Sequence, residues 1–101
     1  MSTVTVVRYV TRPEAADENQ RLVENVYAEL QRSAPNGFRY ATMRLADGVS
    51  FVHVAFADDG SNPLPQTAAF AEFVRDIGAR CVEPPVASNA TVVGSYRFVD
   101  A

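Results

Sequence analysis

Residues 3 to 10 are β-branched or aromatic at almost every position, which predicts a first strand, and Pro13-Glu14 then marks a helix start. That helix is expected to run to about Ser33. Leu22, Val23, Val26, Tyr27 and Leu30 recur along it at helical spacing, while Glu18, Arg21, Glu24 and Glu29 fall largely elsewhere, so one stripe is buried. Pro35-Asn36-Gly37 stops the helix. A second strand follows from Phe38 to Ala46 and ends in Asp47-Gly48, a strong hairpin signal; a third covers Val49 to about Ala57. The stretch from Asp58 to Pro63 reads as a loop. After Pro65, Phe70, Phe73, Val74, Ile77 and Cys81 share one helical face, and this second helix is expected to end before Glu83-Pro84-Pro85. A last strand is placed at Ala90 to Val99.

The resulting order, βαββαβ, defines an α+β fold of the ferredoxin-like kind, a four-stranded antiparallel sheet with both helices on one face. Residues 1–101 are expected to form a single domain. If Asp47-Gly48 is a two-residue loop, the pairing runs Arg44–Phe51, Thr42–His53 and Tyr40–Ala55. Phe38, Tyr40, Thr42, Arg44, Phe51, His53, Ala55 and Ala57 then share one face, and Ala41, Met43, Leu45, Val52, Val54 and Phe56 share the other. Two helices cover only one face. The second set is almost purely apolar, so a twofold homodimer packed sheet against sheet is expected to cover it.

Composition supports that partner. A chain of 101 residues buries a modest share of its surface, and at 48% hydrophobic and 21% charged it has apolar surface to cover. The net charge of −3 comes from nine arginines, no lysine and twelve scattered acids, without the basic stripe that nucleic acid or an anionic membrane would need. With no signal-peptide pattern and no apolar run of bilayer length, the expected location is cytoplasmic. Cys81 stands alone, so no internal disulfide or multi-cysteine metal site is expected.

The first face carries the chemistry. His53, the sole histidine, lies opposite Thr42 and diagonal to Tyr40 and Arg44, where an imidazole of ordinary pKa could take a phenolic proton. The plain alternative is a histidine satisfied by a hydroxyl in a half-buried strand. Tyr40, Thr42, Arg44 and Phe51 are the expected substrate contacts around it. Arg8, Arg44 and Arg97 are read as strand residues that need an edge, a partner or an anion; Arg8 could lie on either face. Cys81 reads as a small buried hydrophobe, and Asp58 and Asp59 as solvated. No metal site, glycine-rich phosphate loop or cofactor motif is present, and no cofactor is expected.

Four segments, Val4-Thr5-Val6-Val7-Arg8-Tyr9 with Arg12-Pro13-Glu14, Asn36-Gly37-Phe38-Arg39-Tyr40, Phe51-Val52-His53-Val54 and Phe70-Ala71-Glu72-Phe73, carry a likeness that spans nearly the whole chain. Through them the chain resembles the dimeric α+β barrel superfamily and, within it, an uncharacterised subgroup of small proteins related to antibiotic-biosynthesis monooxygenases. The resemblance implies two sheets closing into a barrel across a dimer, with a small-molecule cavity between sheet and helices in each protomer. Members include cofactor-independent oxygenases of polycyclic phenols and haem-degrading enzymes. Ala55 and Ala57 stand where members often carry Glu and Trp, and the chain also lacks any Trp, an Asn in the first strand and a His in the second helix. The expected function is binding, and cofactor-independent monooxygenation, of a planar aromatic or phenolic molecule. The alternative is a non-catalytic homodimeric metabolite-binding or interaction module.

Overall fold

The computed structural model describes residues 3–58 and 62–97. Strand β1 (Thr3–Thr11) leads through one 3-10 turn at Pro13–Ala15 into helix α1 (Ala16–Ser33). Strands β2 (Phe38–Arg44) and β3 (Ser50–Ala57) form the central hairpin. Helix α2 (Ala68–Val74) and the short helix α3 (Ile77–Arg80) then feed strand β4 (Cys81–Ala90). All pairings are antiparallel in the order β2-β3-β1-β4, so this is the ferredoxin-like βαββαβ sheet.

Local chemistry accounts for the boundaries. Helix α1 ends where Ala34 turns left-handed at φ 46° and its N–H returns to the Leu30 carbonyl at 2.7 Å. Thr67 caps α2 by accepting from the Phe70 N–H at 3.2 Å. The Glu29 carboxylate adds to that cap from α1, taking the N–H groups of Ala68 and Ala69 at 3.2 and 2.8 Å. These contacts satisfy donors that the first turn leaves without partners, and they fasten α2 to α1.

The β2–β3 register is Tyr40↔Ala55, Thr42↔His53 and Arg44↔Phe51, as the hairpin signal implies. The loop is longer than two residues: Leu45 N–H bonds to Ser50 O at 2.9 Å, leaving 46–49 as the connection. Gly48 takes φ +80°, and Asp47 Oδ1 accepts from the N–H groups of Val49 and Ser50. A one-residue change at each side preserves the pairing, so the two faces are unaltered.

Two expectations are corrected in the C-terminal third. The second helix breaks at Arg75–Asp76, where Asp76 leaves helical geometry at φ −130°, and Cys81 opens β4 instead of closing a helix. The last strand lies at Cys81–Ala90, not Ala90 to Val99. Pro84 and Pro85 are tolerated because β4 is an edge strand, paired only with β1, and its register shifts between Arg8 and Val10. Residues 91–95 carry no strand, and Arg97 lies outside any strand at φ 57° with its guanidinium over the Tyr96 ring. Phe98 and Val99 lie outside the described residues, as do Met1, Ser2, Asp59, Gly60, Ser61, Asp100 and Ala101.

The core sits between the sheet and the helices. Tyr9, Phe51 and Cys81 from the strands meet Val23 and Val26 of α1 and Phe73 of α2. The opposite face carries Val6, Val52, Val54 and Phe56, half-buried by their strand neighbours, with Met43 42% and Val86 62% exposed. Arg8, paired with Val52 and Val86, belongs to this helix-free face and is exposed. No helix among the described residues is long and apolar enough to cross a membrane.

Candidate functional site

Between the sheet and the α2–α3 segment lies a cavity of about 190 Å³. Its floor is Thr5, Val7 and Ala55, small or β-branched residues that leave space where larger ones would fill it. Phe70, Phe73, Val74 and Ile77 form the roof, Asn62, Leu64 and Pro85 lie at the rim, and Tyr9, Tyr40 and His53 supply a polar wall. The volume somewhat exceeds that of an engineered apolar cavity of about 150 Å³ that binds benzene. That is room for one ring or two fused rings.

His53 is 4% exposed and hydrogen-bonded at both nitrogens. Nε2 lies 2.8 Å from the Tyr9 hydroxyl, and Nδ1 lies 2.6 Å from the Tyr40 hydroxyl and 3.0 Å from Thr42 Oγ1. The network continues in both directions. Asn19, fully buried on α1, donates from Nδ2 to the Tyr9 hydroxyl at 2.9 Å, and its Oδ1 accepts from Arg80 Nε at 3.1 Å. On the other side, the Tyr27 hydroxyl lies 2.7 Å from Thr42 Oγ1. Among the described residues no buried side-chain polar atom lacks a partner.

The electrostatics follow from burial. Removing the imidazolium from water lowers the pKa of His53 to about 4, so the ring is neutral at pH 7. Burial likewise pushes the Tyr9 and Tyr40 phenols well above their ordinary value. Arg80 is 7% exposed; its Nη2 donates to the Phe73 carbonyl at 2.6 Å and its guanidinium lies over the Phe73 ring. Among the described residues it has no carboxylate within ion-pair distance. Its charge favours a negative charge at the Tyr9 end of the network.

The sequence-selected residues divide into two groups. Tyr40 and His53 line the cavity, and Thr42 touches it through His53. Arg44 and Phe51 do not reach it. Arg44 bonds Asp17 at 3.1 Å, Gln20 at 2.7 Å and the Gly48 carbonyl, and its guanidinium lies over Phe51, along a separate groove against α1. Phe51 is 1% exposed and stacks on Tyr9, with ring centroids 5.5 Å apart. Sequence reasoning did not select Asn19, Arg80 or Tyr9. For the first two a signal existed: Asn19 precedes Val23 and Val26 by four and seven residues, and Arg80 follows Phe73 and Ile77 by seven and three, so both are polar residues on buried helical stripes.

The βαββαβ fold is shared with solved proteins, several of them named as antibiotic biosynthesis monooxygenases. The chain is similar to Rv0793 from Mycobacterium tuberculosis (TM-score 0.73, 15% identity, 94% of this chain and 98% of that one). It is also similar to a protein of Nitrosomonas europaea named as a candidate antibiotic biosynthesis monooxygenase (TM-score 0.75, 15% identity, 91% and 90%). A third is a single-residue mutant of SnoaB, a cofactor-independent oxygenase from Streptomyces nogalater (TM-score 0.68, 18% identity, 95% and 97%). No family model and no curated protein sequence matches the chain.

Proposed function

We propose that this protein binds a one- or two-ring phenol in the cavity beside His53 and oxidises it with molecular oxygen in a cofactor-independent monooxygenation. The observation that carries the reading is the single buried imidazole, bonded to two tyrosine hydroxyls, on the wall of a largely apolar cavity. The neighbour named as a cofactor-independent oxygenase supports the reaction type. For a naphthol the balance is simple. One oxygen atom forms a C=O bond on the ring, the phenolic O–H and one ring C–H are lost, and those two hydrogens leave with the second oxygen atom as water. The product is the quinone.

A histidine with a pKa of about 4 is a poor base at pH 7. His53 therefore acts in a different way, its ring forming part of the cavity wall and holding the Tyr40 hydroxyl, which meets the substrate oxygen. A hydrogen bond from Tyr40 favours the phenolate, whose proton goes to solvent and whose ring gives electrons to oxygen more readily than the phenol's.

Two copies pack through the other face of the sheet, where Val6, Val52 and Val54 are apolar and no helix among the described residues lies over them. The non-catalytic reading shares the same cavity and is favoured by Ala55, a residue without a reactive group on the floor. Oxygen uptake with 1-naphthol separates the two. Turnover in the wild type that is lost in His53→Leu supports the enzyme; saturable binding with no oxygen consumed supports the binding module.

A further inference from the structure

The hydrogen bonds around His53 have a direction, and Arg80 sets it. A guanidinium Nε can only donate, so the Asn19 atom facing it must be Oδ1, and Nδ2 must face Tyr9. The amide N–H groups can only donate as well, so the Tyr9 oxygen accepts from Asn19. The Tyr9 proton is then free to go to its other neighbour, His53 Nε2, at 2.8 Å. With Nε2 occupied as an acceptor, the one proton of the neutral ring sits on Nδ1 and is donated to the Tyr40 and Thr42 oxygens at 2.6 and 3.0 Å.

This arrangement leaves three hydroxyl protons on the Nδ1 side but two contacts between hydroxyls to hold them, so one proton is left over. Tyr27, Thr42 and Tyr40 each carry one proton, and Nδ1–H accepts none of them. Tyr27 and Thr42 share one contact at 2.7 Å, and Thr42 also lies beside the Tyr40 hydroxyl. Of these three hydroxyls, Tyr40 is the one on the wall of the His53 cavity. The Tyr9 hydroxyl also lines that cavity, but its proton is committed to His53.

We infer that Arg80, Asn19 and Tyr9 are positioning residues that lock His53 as the Nδ1–H tautomer, making Tyr40 O–H a donor to a ligand oxygen that accepts: a ring carbonyl or phenolate. The ligand half of this inference rests on the proposed cavity function; the tautomer half stands on the network alone. Apart from Thr5 and Asn62 the remaining lining is apolar, so the cavity suits small ring systems that carry an acceptor at the Tyr40 end.

Both halves can be read on the full chain. With one histidine in the sequence, a long-range proton–nitrogen correlation on uniformly 15N-labelled protein reports a single imidazole. At pH 7 the expected signature is a protonated Nδ1 and a bare Nε2, shifting toward Nε2–H in Asn19→Leu; Arg80→Gln is the second variant should the first not fold. An Nε2–H ring in the wild type would overturn the inference. For the ligand, the probes are 1-indanone and indane, matched in shape and differing in one acceptor. Replacing Tyr40 by Phe should reduce the preference for indanone by roughly three- to tenfold, the effect of one neutral hydrogen bond. An unchanged preference in Tyr40→Phe overturns the donor assignment. Binding of neither compound overturns the cavity reading and the ligand claim together, even with the tautomer as expected.

Discussion

The Nε2 atom of His53 and the Tyr9 hydroxyl stand 2.8 Å apart in the interior of the protein, and each is held by a further partner. Asn19 fixes the hydroxyl from α1, while Tyr40 and Thr42 hold the other side of the ring from β2. One contact thus joins α1, β1, β2 and β3 into a polar cluster inside an apolar core. Its consequences can be measured.

Because burial lowers the pKa of His53 from 6.5 to about 4, the unfolded chain binds a proton between those values that the folded chain does not. Folding stability therefore falls as pH drops through that window and is unaffected by this group above it. At about 1.4 kcal/mol per pH unit, the full loss is roughly 3 kcal/mol. Urea unfolding at pH 7 and pH 4.5 should show the wild type losing about 2 kcal/mol more than His53→Gln. Equal losses would mean that the imidazole titrates normally in the folded state.

Tyr9→Phe removes the hydroxyl between Asn19 and His53 and leaves a buried donor and a buried acceptor unpaired. Its expected cost is about 1–3 kcal/mol, beyond the loss from Tyr27→Phe at the half-exposed end of the network. Urea midpoints of the two variants check the ranking. A smaller effect at Tyr9 would show that the cluster relaxes or admits water.

Filling the cavity should separate binding from folding. Ala55→Leu places extra carbon over the floor, so 1-naphthol binding by calorimetry should weaken by at least roughly tenfold, while the thermal midpoint changes little because existing space is occupied. Undiminished affinity would locate the ligand elsewhere.

The sheet-to-sheet dimer makes its own demand. A stable pair buries roughly 800 Å² on each partner, and Val54 lies at the centre of the uncovered face, paired with Val6 and Ala41. Val54→Lys should convert a dimer to a monomer in light scattering. A monomeric wild type at micromolar concentration would exclude the pairing.

The central hairpin was legible because two independent signals agree there: Asp47-Gly48 sets the turn and the alternation from Phe38 to Ala57 sets the faces. The register survived a longer loop for that reason. The last strand was misplaced because Pro84-Pro85 reads as a strand stop, and only the sheet order reveals an edge position where prolines are tolerated. His53 and Tyr40 were found by counting along one hairpin. Asn19 and Arg80 come from α1 and α3, and no local rule connects residues 61 positions apart. Arg44 looked like a cavity residue by its face, yet its length carries it to Asp17 at the far rim.

The most direct test of a ligand site beside His53 uses the chain's single isoleucine. Ile77 lines the cavity roof, whereas Met43 lies on the opposite face of the sheet. Titrating methyl-labelled protein with 1-naphthol should move the Ile77 methyl and the His53 ring signals together along one saturable curve, leaving the Met43 methyl in place. No saturable change at Ile77 and His53, or a response confined to Met43, would contradict the account.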